Sequence, residues 1–129
     1  MPSSDPSSPS EGVAAMAEHD IRDNRPAGLL EAYEDGQVVG RIVYFTLDAT
    51  PAALVAVHTV VEPTHAGKGI AGALVREFYT MAAREDVPVV PLCPYAAKWA
   101  ERHPDEAPAA PAELVRAAEE QLKAKPELW

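Results

Sequence analysis

Cysteine is nearly absent from this sequence. Cys93 is the single cysteine in 129 residues, so the chain cannot form an internal disulfide. This scarcity is typical of a reducing compartment, and we expect a cytoplasmic protein. The sequence also lacks an apolar run long enough to cross a bilayer, and its N-terminus lacks the charged-then-hydrophobic pattern of a signal peptide. We therefore expect no membrane partner.

Basic residues are also in deficit. Eleven Lys and Arg against twenty Asp and Glu give a formal net charge of −9. Because a nucleic-acid-binding protein needs a basic surface, we expect no nucleic-acid partner. An acidic surface would instead attract cationic molecules, amines among them. The four histidines (His19, His58, His65 and His103) are scattered, and none pairs with Cys93 at ligand spacing, which predicts no metal site.

The chain is long enough for one domain with a sizeable core. Residues 1–19 begin with a Ser/Pro-rich stretch that cannot bury enough apolar surface to order itself, which predicts a disordered tail. We place the folded domain at residues 20–106. Residues 107–129 read as an Ala/Pro linker and a helix at 112–123. This helix could dock on the domain, dimerise or fray, so the protein is expected to be a monomer or a weak homodimer.

Hydrophobic periodicity predicts a mixed sheet with helices. Asp35-Gly36 is a hairpin turn signal between two β-rich segments, and a later segment that is apolar at nearly every position indicates a central strand covered on both faces. An apolar stripe at helical spacing then runs from Ile70 to Ala82. The predicted order is strands at 29–34, 37–45 and 54–61, a helix at 69–84, a strand at 89–93 and a helix at 94–102. This order predicts an α/β fold of α+β type, with antiparallel strands followed by a right-handed crossover to one further strand.

Residues 59–72 form the most informative stretch, in which a β-branched strand leads through a Pro-marked turn and closely spaced glycines into a helix. Glycines let the backbone approach a ligand closely, and the first N–H groups of a helix point at it, which indicates a phosphate cradle. Gly67, Gly69 and Gly72 also spell the Gly-x-Gly-x-x-Gly dinucleotide fingerprint. Its context is missing, since no acidic residue ends the next strand, so dinucleotide binding is a minor alternative. The Walker pattern fails because Lys68 is not followed by Ser or Thr.

Three further positions carry candidate chemistry. Cys93 precedes Pro94 at a predicted helix start, where a thiolate would feel the helix dipole, so it could be a nucleophile, a general acid for a leaving thiolate, or inert lining of a slot. His58 could be a hydrogen-bonded core histidine, or a base or orienter facing a cleft. Tyr95 and Trp99 stand four residues apart on one helix face, as ordinary packing or as an aromatic wall along a ligand.

At these residues the chain resembles the GNAT superfamily of N-acetyltransferases, and more closely its small single-domain YjdJ-type members. The resemblance covers roughly residues 20–106. The matching segments are Ile21-Arg22-Asp23-Asn24, Asp35-Gly36, His58-Thr59 with Pro63, Gly67-Lys68-Gly69-Ile70-Ala71, Leu74-Val75, Pro91-Leu92-Cys93-Pro94-Tyr95 and His103-Pro104.

The resemblance implies a GNAT-like acyl-CoA fold in which the strand ending at Cys93 splays from its neighbour. The preceding strand would then pair with the pantetheine arm of acetyl-CoA, with Val60 holding the thioester carbonyl, and residues 66–71 would wrap the pyrophosphate. The implied cofactor-binding residues are Thr59, Val60, Val61, His65, Ala66, Gly67, Lys68, Gly69, Ile70, Ala71, Cys93, Tyr95 and Trp99. Cys93 is implied as the first catalytic candidate, because similar proteins have a cysteine there that has been regarded as catalytic, and His58 is the second.

Two positions depart from the superfamily pattern. Ala66 stands where Arg or Gln is usual, and Lys68 or His65 could replace that phosphate contact. Val60 stands where close relatives have an acidic residue, which moves the expected chemistry towards Cys93 and His58. The predicted function is acetyl transfer from acetyl-CoA to a primary amine of a protein or small molecule. A weakly catalytic or non-catalytic acyl-CoA-binding module is the alternative, and a plain interaction domain is a third hypothesis.

Overall fold

The computed structural model describes residues 20–47 and 52–125, so the predicted tail at residues 1–19 lies outside the described residues. Two short 3₁₀ turns, Arg25–Ala27 and Pro63–His65, accompany the main elements. These elements are β1 (Asp20–Asn24), β2 (Leu29–Glu34), β3 (Gln37–Leu47), β4 (Ala53–Val61), α1 (Ile70–Arg84), β5 (Val89–Pro91), α2 (Pro94–Arg102) and α3 (Ala112–Lys123).

The described strands form one five-stranded sheet in the order β1-β2-β3-β4-β5. The first four strands are antiparallel, and β5 runs parallel to β4, so the predicted mixed α/β fold is confirmed. The sheet also contains β1, which the periodicity did not predict as a strand. Only Ile21 of β1 packs against the core, so this edge strand carries almost no apolar pattern. β5 is shorter than expected, because the chain leaves the sheet after Pro91 to enter α2.

The sheet is covered on both faces, in the manner of a sandwich. On the first face, α1 packs the predicted stripe onto residues of all the inner strands, and α2 joins it through Ala96 and Trp99. On the second face, α3 packs Leu114, Ala118 and Leu122 over the apolar side chains of β3, β4 and β5. Of the options left open for this helix, the structure therefore shows docking on the domain. We call these the α1 face and the α3 face of the sheet.

The expectation that β4 is covered on both faces holds for only part of the strand. Residues 53–57 are buried, whereas residues 58–61 are exposed or half-buried. The reason is that β5 and α3 cover only the first half of β4. This difference along one strand positions the candidate site.

α1 lies very close to the sheet at its own N-terminal end. A Cβ atom on Gly40 of β3 would stand 2.9 Å from Ile70 Cγ2 and 3.2 Å from Leu74 Cδ1. The missing side chain therefore lets the first turns of α1 approach the strands beside the open half of β4. A side chain at this position would push the start of α1 outwards.

A polar network fixes the opposite end of α1. Arg25 donates to the Tyr44 hydroxyl over 2.9 Å and to the Glu85 carboxylate over 2.5 Å, and Tyr44 donates in turn to Asp23. Burial raises the pKa of Tyr44, and the hydrogen bond to the Asp23 carboxylate raises it further. The network joins β1, β3 and the C-terminal end of α1.

Candidate active site

The sheet splits between β4 and β5. Their pairing runs from Leu54↔Val89 to Ala56↔Pro91 and ends there. The Ala56 carbonyl then accepts the N–H groups of both Leu92 and Cys93 over 3.0 Å, and the chain turns away into α2. Within the described residues, β4 continues to Val61 with β3 on one side and no strand on the other. The split therefore exposes a strand edge able to pair with an extended ligand.

A β-bulge in β4 determines on which face of the sheet the side chains beside the split lie. Val43 of β3 pairs with His58, and the next β3 residue, Tyr44, pairs with Ala56, so Val57 is the extra residue. Paired residues in a sheet share a face. His58 therefore lies on the α3 face with Val43, whereas Thr59 lies on the α1 face with Ile42.

The bulge brings Thr59 to Cys93. The Cys93 Sγ atom lies 3.3 Å from the Thr59 hydroxyl oxygen, and the cysteine side chain is only 4% exposed. Cys93 also forms the N-cap of α2, and its carbonyl accepts the N–H of Ala97 over 3.0 Å. The predicted helix start at Pro94 is thereby confirmed, and the thiol lies at the base of the split.

The two catalytic candidates are not brought together. Cys93 packs in the core of the α1 face, and His58 lies on the α3 face with an exposed side chain. His58 is thus not a core histidine. The two residues therefore lie on opposite faces of the sheet, and the described contacts do not join them as a Cys–His pair.

The glycine loop leads into α1 with the geometry of an anion site. Gly67 and Gly69 have φ angles of +81° and +80°, in the left-handed region that glycine adopts readily. The first intrahelical bond of α1 runs from Ala73 N–H to Gly69 O. The N–H groups of Ile70 and its two successors therefore precede the helical ladder and carry the positive end of the helix dipole. The first turn contains no acidic residue that would repel an anion.

The aromatic pair on α2 divides into one exposed and one buried ring. Tyr95 is 44% exposed, whereas Trp99 is 7% exposed and stacks on Tyr79 at 5.8 Å and on His103 at 4.1 Å. Both polar tips lie near the first turn of α1. A Cβ on Gly72 would stand 3.5 Å from the Tyr95 hydroxyl and 3.8 Å from Trp99 Nε1. Trp99 is therefore mainly a packing residue, and Tyr95 is the aromatic side chain available to a ligand.

His65 is tied to its neighbours. Its Nε2 atom lies 3.0 Å from Glu34 Oε2 and its Nδ1 atom 3.0 Å from the Thr64 hydroxyl, so both ring nitrogens are engaged. Lys68, by contrast, is exposed in the glycine loop. Of the two proposed replacements for the missing side chain at Ala66, His65 is engaged within the protein and Lys68 is exposed to solvent.

Three features of the site were not predicted from the sequence: the Thr59 side chain as the partner of Cys93, Gly72 as the contact with α2, and Glu34 as the partner of His65. Gly72 already stood in the glycine pattern, which was a usable signal. The other two contacts depend on strand register, which the sequence does not display.

Among residues 20–47 and 52–125, no three His, Cys, Asp or Glu side chains gather as metal ligands. No helix in that part of the chain is long and apolar enough to cross a membrane.

A mixed sheet that splits beside a parallel strand, with a glycine-lined helix start next to the split, defines the class of N-acetyltransferase folds. Residues 30–109, more than half of the chain, match the sequence model of the family described as GCN5-related N-acetyl-transferase. The chain belongs to this family.

Two solved structures illustrate the similarity. One is the ribosomal-protein-alanine N-acetyltransferase from Brucella melitensis biovar Abortus 2308, with 28% identity, a TM-score of 0.49, and coverage of 64% of this chain and 63% of that one. Another is the aminoglycoside acetyltransferase HMB0005 from an uncultured soil metagenomic sample, with 25% identity, a TM-score of 0.44, and coverage of 48% and 43%. The match spans less than two thirds of either structure's length. No curated protein matches the chain.

Proposed function

We propose that this acetyltransferase moves an acetyl group from acetyl-CoA to a primary amine. The observation that supports this most directly is the position of the Cys93 thiol, at the base of the split and against the same strand that offers a free edge. Membership of the family supports acetyl transfer in general. The choice of acetyl-CoA as donor and of an amine as acceptor is the proposal.

Acetyl-CoA would bind along the split and the glycine loop. The pyrophosphate would accept hydrogen bonds from backbone N–H groups of residues 66–71, where the helix dipole favours negative charge. The pantetheine arm would lie against the open edge of β4 at residues 59–61. Val60, one of the two large hydrophobic side chains exposed among the described residues, belongs to this edge. The thioester would then lie near Cys93.

The proposed transfer is a direct displacement at the thioester carbon. The neutral amine nitrogen attacks the carbonyl carbon, a C–N bond forms, and the tetrahedral intermediate collapses with cleavage of the C–S bond. The departing CoA sulfur takes a proton, and the new amide nitrogen loses one. Holding the two reactants together supplies much of the acceleration, and backbone N–H groups at the split can stabilise the oxyanion.

The two catalytic candidates fit different proton transfers. Cys93 lies on the α1 face, where the CoA sulfur would depart, so we assign it the role of acid. His58 lies on the α3 face, from which an acceptor could enter the split, so it is the candidate base for the amine proton. A transient acetyl-Cys93 remains the second route, in which the thiolate attacks first and the amine then takes the acetyl group.

The alternative function is an acyl-CoA-binding module with little turnover. The alanine at position 66 favours it, because that position offers no side-chain contact to a phosphate. The two functions are separated by measuring CoA thiol release from acetyl-CoA with a panel of mono-, di- and polyamines and N-terminal and lysine peptides, together with calorimetric titration of CoA. Turnover above the amine-free rate supports the transferase. Micromolar binding without thiol release on any amine supports the module, and absence of both contradicts each of them.

A further inference from the structure

The Thr59 hydroxyl is the hydrogen-bond partner of the Cys93 thiol, at 3.3 Å. Thr59 is half-buried and the thiol is almost fully buried, so bulk water competes little for this contact. The bulge at Val57 makes the contact, because in a strand that continued regular alternation beyond Ala56 Thr59 would lie on the α3 face and His58 on the α1 face.

A threonine hydroxyl can serve both protonation states of a thiol. It has two acceptor lone pairs and one rotatable O–H donor, so it accepts a hydrogen bond from S–H and donates one to a thiolate after rotation about its C–O bond. A hydrogen bond to a charged group is stronger than one between neutral groups, so the hydroxyl favours the thiolate more than it favours the thiol. A valine at the same position has nearly the same shape and offers neither contact.

We propose that Thr59 is a positioning residue that orients the Cys93 thiol and stabilises its thiolate during acyl transfer. This inference rests on the proposed function for its purpose, but the contact itself is testable without any acyl donor. When Cys93 acts as acid, its S–H bond breaks, the proton passes to the departing CoA sulfur, and the electron pair stays on Sγ. The Thr59 O–H then donates to that sulfur, and the reverse rotation accompanies reprotonation from solvent after the product leaves.

The other groups packed near Cys93 leave Thr59 as its side-chain hydrogen-bond partner. α2 supplies the exposed Tyr95 and Lys98 as titratable groups, and the N-terminal end of its helix dipole. β4 supplies His58, which lies on the other face of the sheet. α1 faces this region with core side chains that are apolar apart from the buried hydroxyl of Tyr79. A Thr59 substitution leaves all of these groups unchanged. A difference between variants in the pH midpoint of Cys93 reactivity therefore measures the effect of the Thr59 hydroxyl.

The test uses the single cysteine as its own reporter. Rates of Cys93 alkylation by iodoacetamide are measured from pH 6 to pH 10 for the full chain, Thr59→Val and Thr59→Ser. The midpoint of each profile is compared, because a change in access scales all rates and leaves the midpoint in place. We expect Thr59→Val to raise the midpoint by about one pH unit, which is about ten-fold less thiolate at neutral pH. We expect Thr59→Ser to retain the wild-type midpoint.

Superimposable wild-type and valine profiles would overturn the proposal, as would a serine variant that shifts as far as the valine variant. If Thr59→Val does not fold, as judged by circular dichroism, Thr59→Ala provides the same comparison. Cys93→Ala, which has no thiol, gives the background rate. With a turnover assay in hand, Thr59→Val should lower kcat while leaving KM for acetyl-CoA within about two-fold, because only the backbone of residue 59 is expected to contact pantetheine. A midpoint shift in a protein without turnover would support the contact and contradict only the proposed function.

Discussion

The first five residues of β4, at positions 53–57, are buried on both faces of the sheet, whereas the last four, at 58–61, are exposed or half-buried. The first half has β3 and β5 as neighbours and α3 above it. The second half has β3 alone and the split on its other side. The bulge at Val57 marks the boundary between the two. One strand therefore supplies both the centre of the core and the candidate site. A substitution at 53–57 should mainly lower stability, and one at 58–61 should mainly lower activity.

The largest expected effect lies at the split. Cys93→Ala should lower the turnover of acetyl-CoA with its amine by about 10²- to 10⁴-fold, the range typical of a lost proton-transfer group. His58→Ala should lower turnover less if the amine enters largely deprotonated. Steady-state kinetics over pH 6–9 measure both. The matched control is Glu101→Gln, at an exposed position of α2 that has no assigned role in the site, and it should keep full turnover. Full turnover by Cys93→Ala would remove the cysteine from the chemistry.

The next prediction compares how much stability is lost when a side chain is truncated in each half of β4. Leu54→Ala in the closed half should cost about 2–5 kcal/mol of the free energy of unfolding, because it removes a fully buried side chain and leaves a cavity in the core. Val60→Ala in the open half should cost much less, since its side chain is 39% exposed. Chemical denaturation of both variants measures the difference. Equal losses would show that the open half is buried in solution and would contradict the described split.

The sequence predicted the inner part of this architecture and missed its edges and its irregularities. The hairpin at Asp35-Gly36 and the apolar stripe of α1 depend on local signals, and both are found in the structure. β1 was missed because an edge strand with one core residue, Ile21, has no apolar alternation to recognise. The N-terminal tail predicted at residues 1–19 lies outside the described residues.

The sequence indicated which segments form the candidate site, but not on which face of the sheet its side chains lie. The glycine loop and Cys93 could both be picked out from the sequence, because each stands where a strand leads into a helix. Which face of the sheet the His58 and Thr59 side chains occupy could not be predicted. A strand that is apolar at nearly every position hides the period-two alternation, and a bulge reverses whatever alternation remains. The role of each predicted ligand contact stays a prediction.

A smaller effect is expected where the glycine loop joins the rest of the molecule. His65→Ala removes the contact between the 3₁₀ turn and Glu34, a partly exposed hydrogen bond that contributes about 0–1 kcal/mol to stability. Its larger consequence should be a several-fold weaker affinity for CoA, because the turn holds the loop that follows it. Calorimetric titration measures this affinity. Glu34→Gln is the matched control, since the amide oxygen can still accept from a neutral imidazole, and it should lose less affinity than His65→Ala.

The smallest effect concerns the hydroxyl of Tyr79, in the second half of α1. This hydroxyl is buried and has no hydrogen-bond partner within the described residues, and burial raises the pKa of Tyr79 to about 12. Tyr79→Phe keeps the ring stacked on Trp99 and removes the unsatisfied oxygen, so it should stabilise the protein by about 1 kcal/mol at neutral pH.

The same substitution should change the alkaline limb of the stability profile. In the unfolded chain a tyrosine ionises near pH ~10, whereas the folded protein keeps Tyr79 protonated to about pH 12. Between these values the unfolded state binds fewer protons than the folded state, so stability falls as pH rises. Tyr79→Phe should therefore lose less stability than wild type from pH 9 to pH 11. Tyr44 is present in both proteins, so its own raised pKa cancels in the difference. A variant with the same alkaline slope as wild type, or one destabilised at neutral pH, would show that the hydroxyl finds a partner in solution.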